Sequence, residues 1–133
     1  MTNPGLSRNR LAQAPYAYFE AVDRKDLDAS LAFFTEGATF TVQTAHTTYT
    51  GKSEIAGMFR GFFADFATIV HNPRSIVVDE VAQKVSSEQV CPHVANDGTP
   101  VALTTCNFFE FAADGRFERV IIWIDGESPL VGE

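Results

Sequence analysis

Histidine is the side chain best suited to move protons near neutral pH, because its free pKa lies near ~6.5. The chain has three, His46, His71 and His93. His71 stands in an apolar, β-prone run, TIVHNPRSIVV at residues 68–78. There it is either a base facing a pocket or a core histidine with a satisfied hydrogen bond. His93 sits a few residues from a hairpin tip, and His46 falls in a loop. Asn107 lies on an otherwise apolar strand face and needs a partner, since an unpaired buried amide costs about 1–3 kcal/mol. Tyr18 belongs to an apolar helix face, with its hydroxyl at the boundary. A base beside donors such as Asn107 or Tyr18 fits proton abstraction next to a carbonyl. The base takes the proton, and the donors bind the oxygen where negative charge grows.

The elements that must position these groups divide into a helical half and a strand half. APYAYFEAVDR predicts a helix beginning near Pro15, with Ala14, Tyr18, Ala21 and Val22 on its apolar face. DLDASLAFF predicts a short helix burying Leu27, Leu31 and Phe34, closed at Gly37. Asp23 stands between the two, where it ends the first or caps the second. TFTVQT and TTYTG read as a strand pair. KSEIAGMFRGFFADF places Ile55, Met58, Phe59, Phe62, Phe63 and Phe66 at helical spacing, with Ser53 as a candidate cap. Met58 and this phenylalanine stripe are core first and pocket wall second.

Four strands follow, over about 69–79, 84–95, 100–111 and 116–125. Asp97-Gly98 and Asp114-Gly115 mark three-residue hairpin loops that set 95 opposite 99 and 112 opposite 116. That register puts Gln89, Cys91, His93, Val101, Leu103, Thr105, Asn107 and Phe109 on one face. Arg119, Ile121, Trp123 and Asp125 are expected to join them, with Val90, Val94, Cys106, Phe108, Val120, Ile122 and Ile124 opposite. Cys91 and Cys106 then lie on opposite faces, against a disulfide. VIIWI is apolar on both sides, and helices cover only one face of a sheet. A second copy of the chain, in a two-fold dimer, is expected to cover the other.

The 133 residues suit one domain, 1–133, with an ordered core over about 10–126 and loose ends at 1–8 and 127–133. A net charge of −7 without a basic cluster excludes nucleic-acid binding. No run is long enough to span a membrane, and the start lacks a signal peptide's apolar stretch, so a cytoplasmic location is expected. Close ligand spacings such as HxH or HExxH are absent, as is a glycine-rich phosphate loop. Cofactor-free chemistry without a metal is expected.

YFEAVDRKDLDASLAFFTEGATF, followed by TYTGKSEI and by the sheet-ending DGRFERVIIWID, resembles the nuclear transport factor 2-like (SnoaL-like) superfamily over about residues 10–126. The resemblance implies an α+β, cone-shaped fold in which three N-terminal helices pack on a curved antiparallel sheet and enclose an apolar pocket. It implies a homodimer, and one of several activities: isomerase, dehydratase, cyclase or epoxide hydrolase, or none. Fold by itself does not choose.

The pocket pattern separates the subfamilies. Against ketosteroid isomerases, Tyr18 and Asn107 match the oxyanion donors, but Val42 takes the place of the base. Against limonene-type epoxide hydrolases, Asp125 matches one carboxylate, while Gln89 and Cys91 replace its partners. The pattern is most similar to scytalone dehydratase and the dehydrochlorinases, whose Asp-His dyad falls on Asp23 of AVDRKD and His71 of TIVHN. A second pocket histidine falls on His93, an asparagine on Asn107, and a serine on Thr105; the water-holding tyrosines are missing. The expected function is a cofactor-independent lyase or isomerase acting on a small hydrophobic, cyclic or polyketide-like metabolite. His71 and Asp23 are the catalytic pair. Tyr18, Asn107, His93, Asp125, Trp123, Thr105 and Phe59 bind substrate. A polyketide-type cyclase using the same pocket is the nearest rival, and a non-catalytic binding or dimerisation module is the rival of another class.

Overall fold

The computed structural model describes residues 5–126 and 129–131. Helix α1 spans Arg8–Asp23, α2 Leu27–Leu31 and α3 Gly51–Asp65. The strands are β1 Phe34–Val42, β2 Thr47–Thr50, β3 Phe66–Thr68, β4 Asn72–Asp79, β5 Lys84–Ala95, β6 Pro100–Phe111 and β7 Phe117–Ile124. They form one curved, open sheet in the order β2-β1-β7-β6-β5-β3, with β4 also on β5. Pairing is antiparallel except between β1 and β7, which run parallel. The three helices pack on the concave side. Among the described residues no helix is long and apolar enough to cross a membrane.

Helix α1 begins earlier than its composition suggests. Ser7 caps it, accepting from the Arg10 N–H at 3.2 Å, and Pro15 lies inside the helix. Pro15 and Leu11 are both fully buried. Packing of that stripe outweighs the hydrogen bond a mid-helix proline removes. The second helix is shorter than expected. Asp26 caps it, and by Phe34 the chain is already strand, so Gly37 lies within β1. Thr50, not Ser53, occupies the N-cap of α3. Of the expected loose ends, residues 1–4, 127, 128, 132 and 133 lie outside the described residues. Leu6 is buried, and the Leu130 carbonyl accepts from the Tyr49 hydroxyl at 3.2 Å.

The core is aromatic. The Tyr18 ring sits within 5.3–6.4 Å of Phe19, Phe33, Phe34, Phe59, Phe109 and Phe117, mostly edge to face. This cluster bonds α1, α3, β1, β6 and β7 into a single layer pair.

Both hairpin loops are as expected. Ala95 donates to Thr99 at 2.9 Å and Ala112 to Arg116 at 2.7 Å, with Gly98 and Gly115 at φ +87° and +93°. The first hairpin carries its register through: Gln89, Cys91, His93, Leu103, Thr105, Asn107 and Phe109 all face inward and are buried. The second does not. Phe111 pairs with Phe117, but Glu110 pairs with Arg119, so Glu118 is an extra residue in β7. One inserted residue exchanges the two faces of everything beyond it. Val120, Ile122 and Ile124 therefore point into the core. Arg119, Ile121 and Trp123 point outward, and Trp123 is 49% exposed. The expected inward placement of Trp123 is thus corrected, and the cause is a bulge.

Candidate active site

His71 does not lie within a continuous strand. Residues 69–71 form a short break between β3 and β4, both of which pair with β5. The chain leaves β5 near Val94 and rejoins it at Val90, so His71 occupies the corner beside Cys91 and His93. Asp23, the last residue of α1, reaches this corner. Its Oδ1 lies 2.6 Å from His71 Nδ1, and its Oδ2 accepts the His71 backbone N–H at 3.0 Å. Lys25, just beyond the helix end at φ +57°, donates its ammonium to the Phe66 carbonyl and ties this turn to β3. One carboxylate therefore fixes both the ring and the backbone of residue 71.

The tautomer follows from that geometry. A carboxylate only accepts, so Nδ1 carries the proton and Nε2 keeps its lone pair. Among the described residues Nε2 has no hydrogen-bond partner. The ring is stacked on Phe19, at 4.6 Å between centroids and 8° between planes. His93 stands edge-on at 5.3 Å and is held in the opposite tautomer. The Val70 N–H donates to its Nδ1 at 3.0 Å, so its proton resides on Nε2. The neutral tautomers of the two adjacent rings thus offer a base nitrogen and an N–H donor.

Burial, reinforced by the neighbouring His71 and partly offset by Asp23, pushes the His93 pKa down to about 4. An unfolded chain takes up that proton near pH ~6.5, while the folded one refuses it until about 4. The linkage sign follows: the unfolded state binds more protons across this window, so stability falls as pH is lowered through it. Thermal denaturation between these pH values should show a falling midpoint. His93→Gln, which keeps an acceptor for Val70, should flatten that part of the slope. An unchanged slope would mean that another group carries it.

Both histidines line a cavity between sheet and helices, together with Tyr18, Phe59, Thr105 and Asn107. The cavity volume is about 30 Å³. It is a narrow slot in this state, and a ring-sized ligand must displace side chains to enter. Pro129 and Leu130 also line it, so the C-terminal segment, expected to be loose, forms part of the wall. The Tyr18 hydroxyl has no partner among the described residues, and burial drives its pKa strongly upward, keeping it a donor.

Of the nine residues singled out from the sequence, seven meet in or at this cavity: His71, Asp23, Tyr18, Asn107, His93, Thr105 and Phe59. Two do not. Trp123 is on the outer face for the reason given. Asp125 is exposed beyond the end of β7, where its Oδ1 accepts the Thr104 N–H at 2.7 Å and closes the strand end. His46 is exposed in a left-handed turn.

Sequence reasoning missed Cys91 and Gln89 as parts of the site. The ligand atoms of His71, Cys91 and His93 lie within 4.8 Å of one another, although no short motif links them. Burial raises the Cys91 thiol to about 11, against a hydrogen-bonding contact with Thr105, so it stays protonated. With Val70 occupying His93 Nδ1, this trio presents one lone pair, one thiol and one N–H, not three lone pairs. Gln89 is fully buried and bonded on every side. The alternating burial of β5 was the available signal for both.

The SnoaL-like domain family matches residues 16–120. No curated protein matches the sequence significantly. Among solved structures, a proposed SnoaL-like polyketide cyclase from Shewanella denitrificans OS-217 is 14% identical at a TM-score of 0.80, covering 89% of this chain and 92% of that one. A proposed polyketide cyclase from Xanthomonas campestris pv. campestris is 26% identical at 0.74, over 89% and 92%. SalBIII, an epoxide hydrolase/cyclase-like enzyme of pyran ring formation in the polyether salinomycin, is 16% identical at 0.80, over 90% and 93%.

Proposed function

This chain belongs to the SnoaL-like domain family, and we propose that it is a cofactor-independent lyase or isomerase that removes a proton beside a carbonyl in a small hydrophobic, cyclic or polyketide-like molecule. The family's ligands are small and hydrophobic, and the apolar slot suits that class. One observation carries the proposal: the 2.6 Å contact of Asp23 with His71 Nδ1, which leaves Nε2 as an uncommitted base in an apolar cavity.

His71 Nε2 takes the proton from carbon, and the imidazolium so formed is stabilised by the Asp23 carboxylate behind it. Negative charge moves onto the carbonyl oxygen, where Tyr18, Asn107 and the His93 N–H are the donors within the lining. The proton then returns to a hydroxyl leaving group, giving dehydration, or to another carbon, giving a double-bond shift. If the enolate carbon instead attacks a second carbonyl of the same molecule, that C=O π bond opens to an alkoxide that takes the proton from His71 and the ring closes, the reading favoured by the polyketide-cyclase neighbours.

The test is exchange. Cyclic ketones and β-hydroxyketones are incubated with the protein in deuterated water, and deuterium at the α-carbon is followed by NMR. Exchange by the wild type and not by His71→Gln supports the reading. Equal exchange by both, above the rate without protein, would remove His71 from the mechanism, and no exchange above that rate by either would favour the non-catalytic module.

The outer sheet face suits a second copy of the chain. Phe108 pairs with Ile121 across β6 and β7, Cys106 with Trp123, and Phe108, Trp123 and Val77 are 43–62% exposed. Tryptophan is enriched among the few interface residues whose truncation costs about 2 kcal/mol or more. Analytical ultracentrifugation should find a dimer, and Trp123→Arg should weaken it by at least about thirtyfold while the Asp23–His71 side stays folded. A monomeric wild type would sink the dimer.

A further inference from the structure

Asn107 and Thr105 in the cavity wall belong to a chain of buried polar side chains, of which the proton transfer uses only Asn107. Ser87 Oγ donates to Gln89 Oε1 at 2.8 Å. Gln89 Nε2 then donates to Thr105 Oγ1 at 2.6 Å and to Asn107 Oδ1 at 3.0 Å. Thr105 Oγ1 also lies 3.7 Å from Cys91 Sγ. All four members of the ladder are at most 4% exposed. They alternate along the inward faces of β5 and β6, where Gln89 pairs directly with Thr105 and Ser87 with Asn107.

Donor and acceptor inventory makes the ladder directional. Ser87 spends its one proton on the Gln89 carbonyl oxygen, which leaves only N–H groups for the other end of that amide. Both are spent, one on Thr105 and one on Asn107. Asn107 Oδ1 is then the accepting end of its own amide, and its Nδ2 is the end with no partner among the described residues. Asn107 and Thr105 both line the cavity, while Gln89 does not. Gln89 thus stands behind the wall and determines which atom of Asn107 faces forward.

We propose that Gln89 is a positioning residue that orients the Asn107 amide and the Thr105 hydroxyl so that the cavity floor presents hydrogen-bond donors, and that this floor selects ligands carrying an anionic oxygen, an enolate or a phenolate. The inference rests on the functional reading above and extends it to the polarity of the ligand. The titratable groups facing the same space are Tyr18, His71 and His93, with Asp23 and Cys91 behind them. The Asp23 carboxylate is engaged by the two His71 N–H groups.

The test uses the full chain and two probes of one shape, 4-nitrophenol and 4-nitrotoluene. Bound phenolate and bound phenol are distinguished by their absorption, so the ionised fraction is read directly. The wild type should bind both probes and enrich the phenolate about tenfold over free solution. Gln89→Glu replaces both donors with an acceptor, forcing the Asn107 amide to turn its oxygen forward. The phenolate preference should vanish while 4-nitrotoluene binding stays within about twofold. Gln89→Met, which has the same shape and no polar end, serves if the buried carboxylate prevents folding, and should lose most of the preference. Asn107→Asp should lose it with Gln89 intact, and adding Gln89→Met to Asn107→Ala with Thr105→Val should cost nothing further, because Gln89 acts through those two side chains. Binding of both probes without phenolate enrichment, or enrichment unchanged in the Gln89 variants, overturns the ladder's role and leaves the cavity reading standing. Binding of neither probe overturns both.

Discussion

Replacing His71 with Gln is expected to lower the rate of proton abstraction by roughly 10²–10⁴-fold, the usual contribution of a positioned general base. Glutamine fills a similar volume and can still donate its amide N–H to Asp23, so the corner between β3 and β4 should survive. Near-native melting with lost turnover would identify His71 as a base. The opposite pattern, a large fall in the melting midpoint with turnover per folded molecule preserved, would make it a structural histidine. Steady-state rates on any substrate showing deuterium exchange, set beside calorimetry of the same sample, separate the two outcomes.

The second large effect is expected at Asp23. Its carboxylate accepts two hydrogen bonds from residue 71, one from the ring and one from the backbone. In Asp23→Asn, only the carbonyl oxygen of the amide can accept. If that oxygen keeps the His71 backbone N–H, the amide N–H faces the ring and stabilises the tautomer protonated on Nε2. The lone pair then points at the amide and the cavity faces an N–H, so the base is lost without moving the ring. Wrong-tautomer variants of this kind lose up to about 10⁴-fold in rate. If the amide turns the other way, the backbone N–H loses its partner, and stability falls by about 1–3 kcal/mol. Either arrangement costs something measurable. The double variant with His71→Gln should be no slower than His71→Gln, since both substitutions disable one unit. Additive losses in the double variant would show that Asp23 acts on the substrate independently of His71. NMR of the ring nitrogens reads the tautomer directly.

The pH behaviour of these variants has to be read alongside His93. Because its ring stays neutral down to about pH 4, the donor on Nε2 persists throughout the working range. A variant that removes Asp23 also removes the charge that partly supports protonation of His93. Acid sensitivity of folding through His93 should therefore increase slightly in Asp23→Asn, a direction that simple loss of an ion pair would not predict.

Periodicity alone established most of the elements and one face of the sheet. Alternation in β5 and β6, anchored by a glycine-centred hairpin, placed Gln89, Cys91, His93, Thr105 and Asn107 together on the inner side, because side-chain direction in a strand repeats every two residues. The same rule failed in β7. The two consecutive charges Glu118-Arg119 between Phe117 and Val120 are the local trace of the bulge, and once that extra residue is counted Trp123 turns outward. An inserted residue is a choice among backbone pairings, settled by how Phe117, Val120 and Ile122 pack on the aromatic core, and no window of sequence contains that packing.

The meeting of Asp23 with His71 is likewise a tertiary event. These residues are 48 positions apart, and it takes the end of α1, the Lys25 tie to β3 and the break at 69–71 to bring them within 2.6 Å. The types of residue needed for proton transfer were legible in the sequence. Which nitrogen of each histidine carries the proton depends on a partner remote in the chain: Asp23 for His71, and Val70, in the break beside β5, for His93. The orientation of Asn107 depends on Gln89 in the same way. Local propensity specifies elements, whereas hydrogen-bond direction is set by whichever donor or acceptor the fold delivers, and here Asp23, Val70 and Gln89 each come from a different segment of the chain.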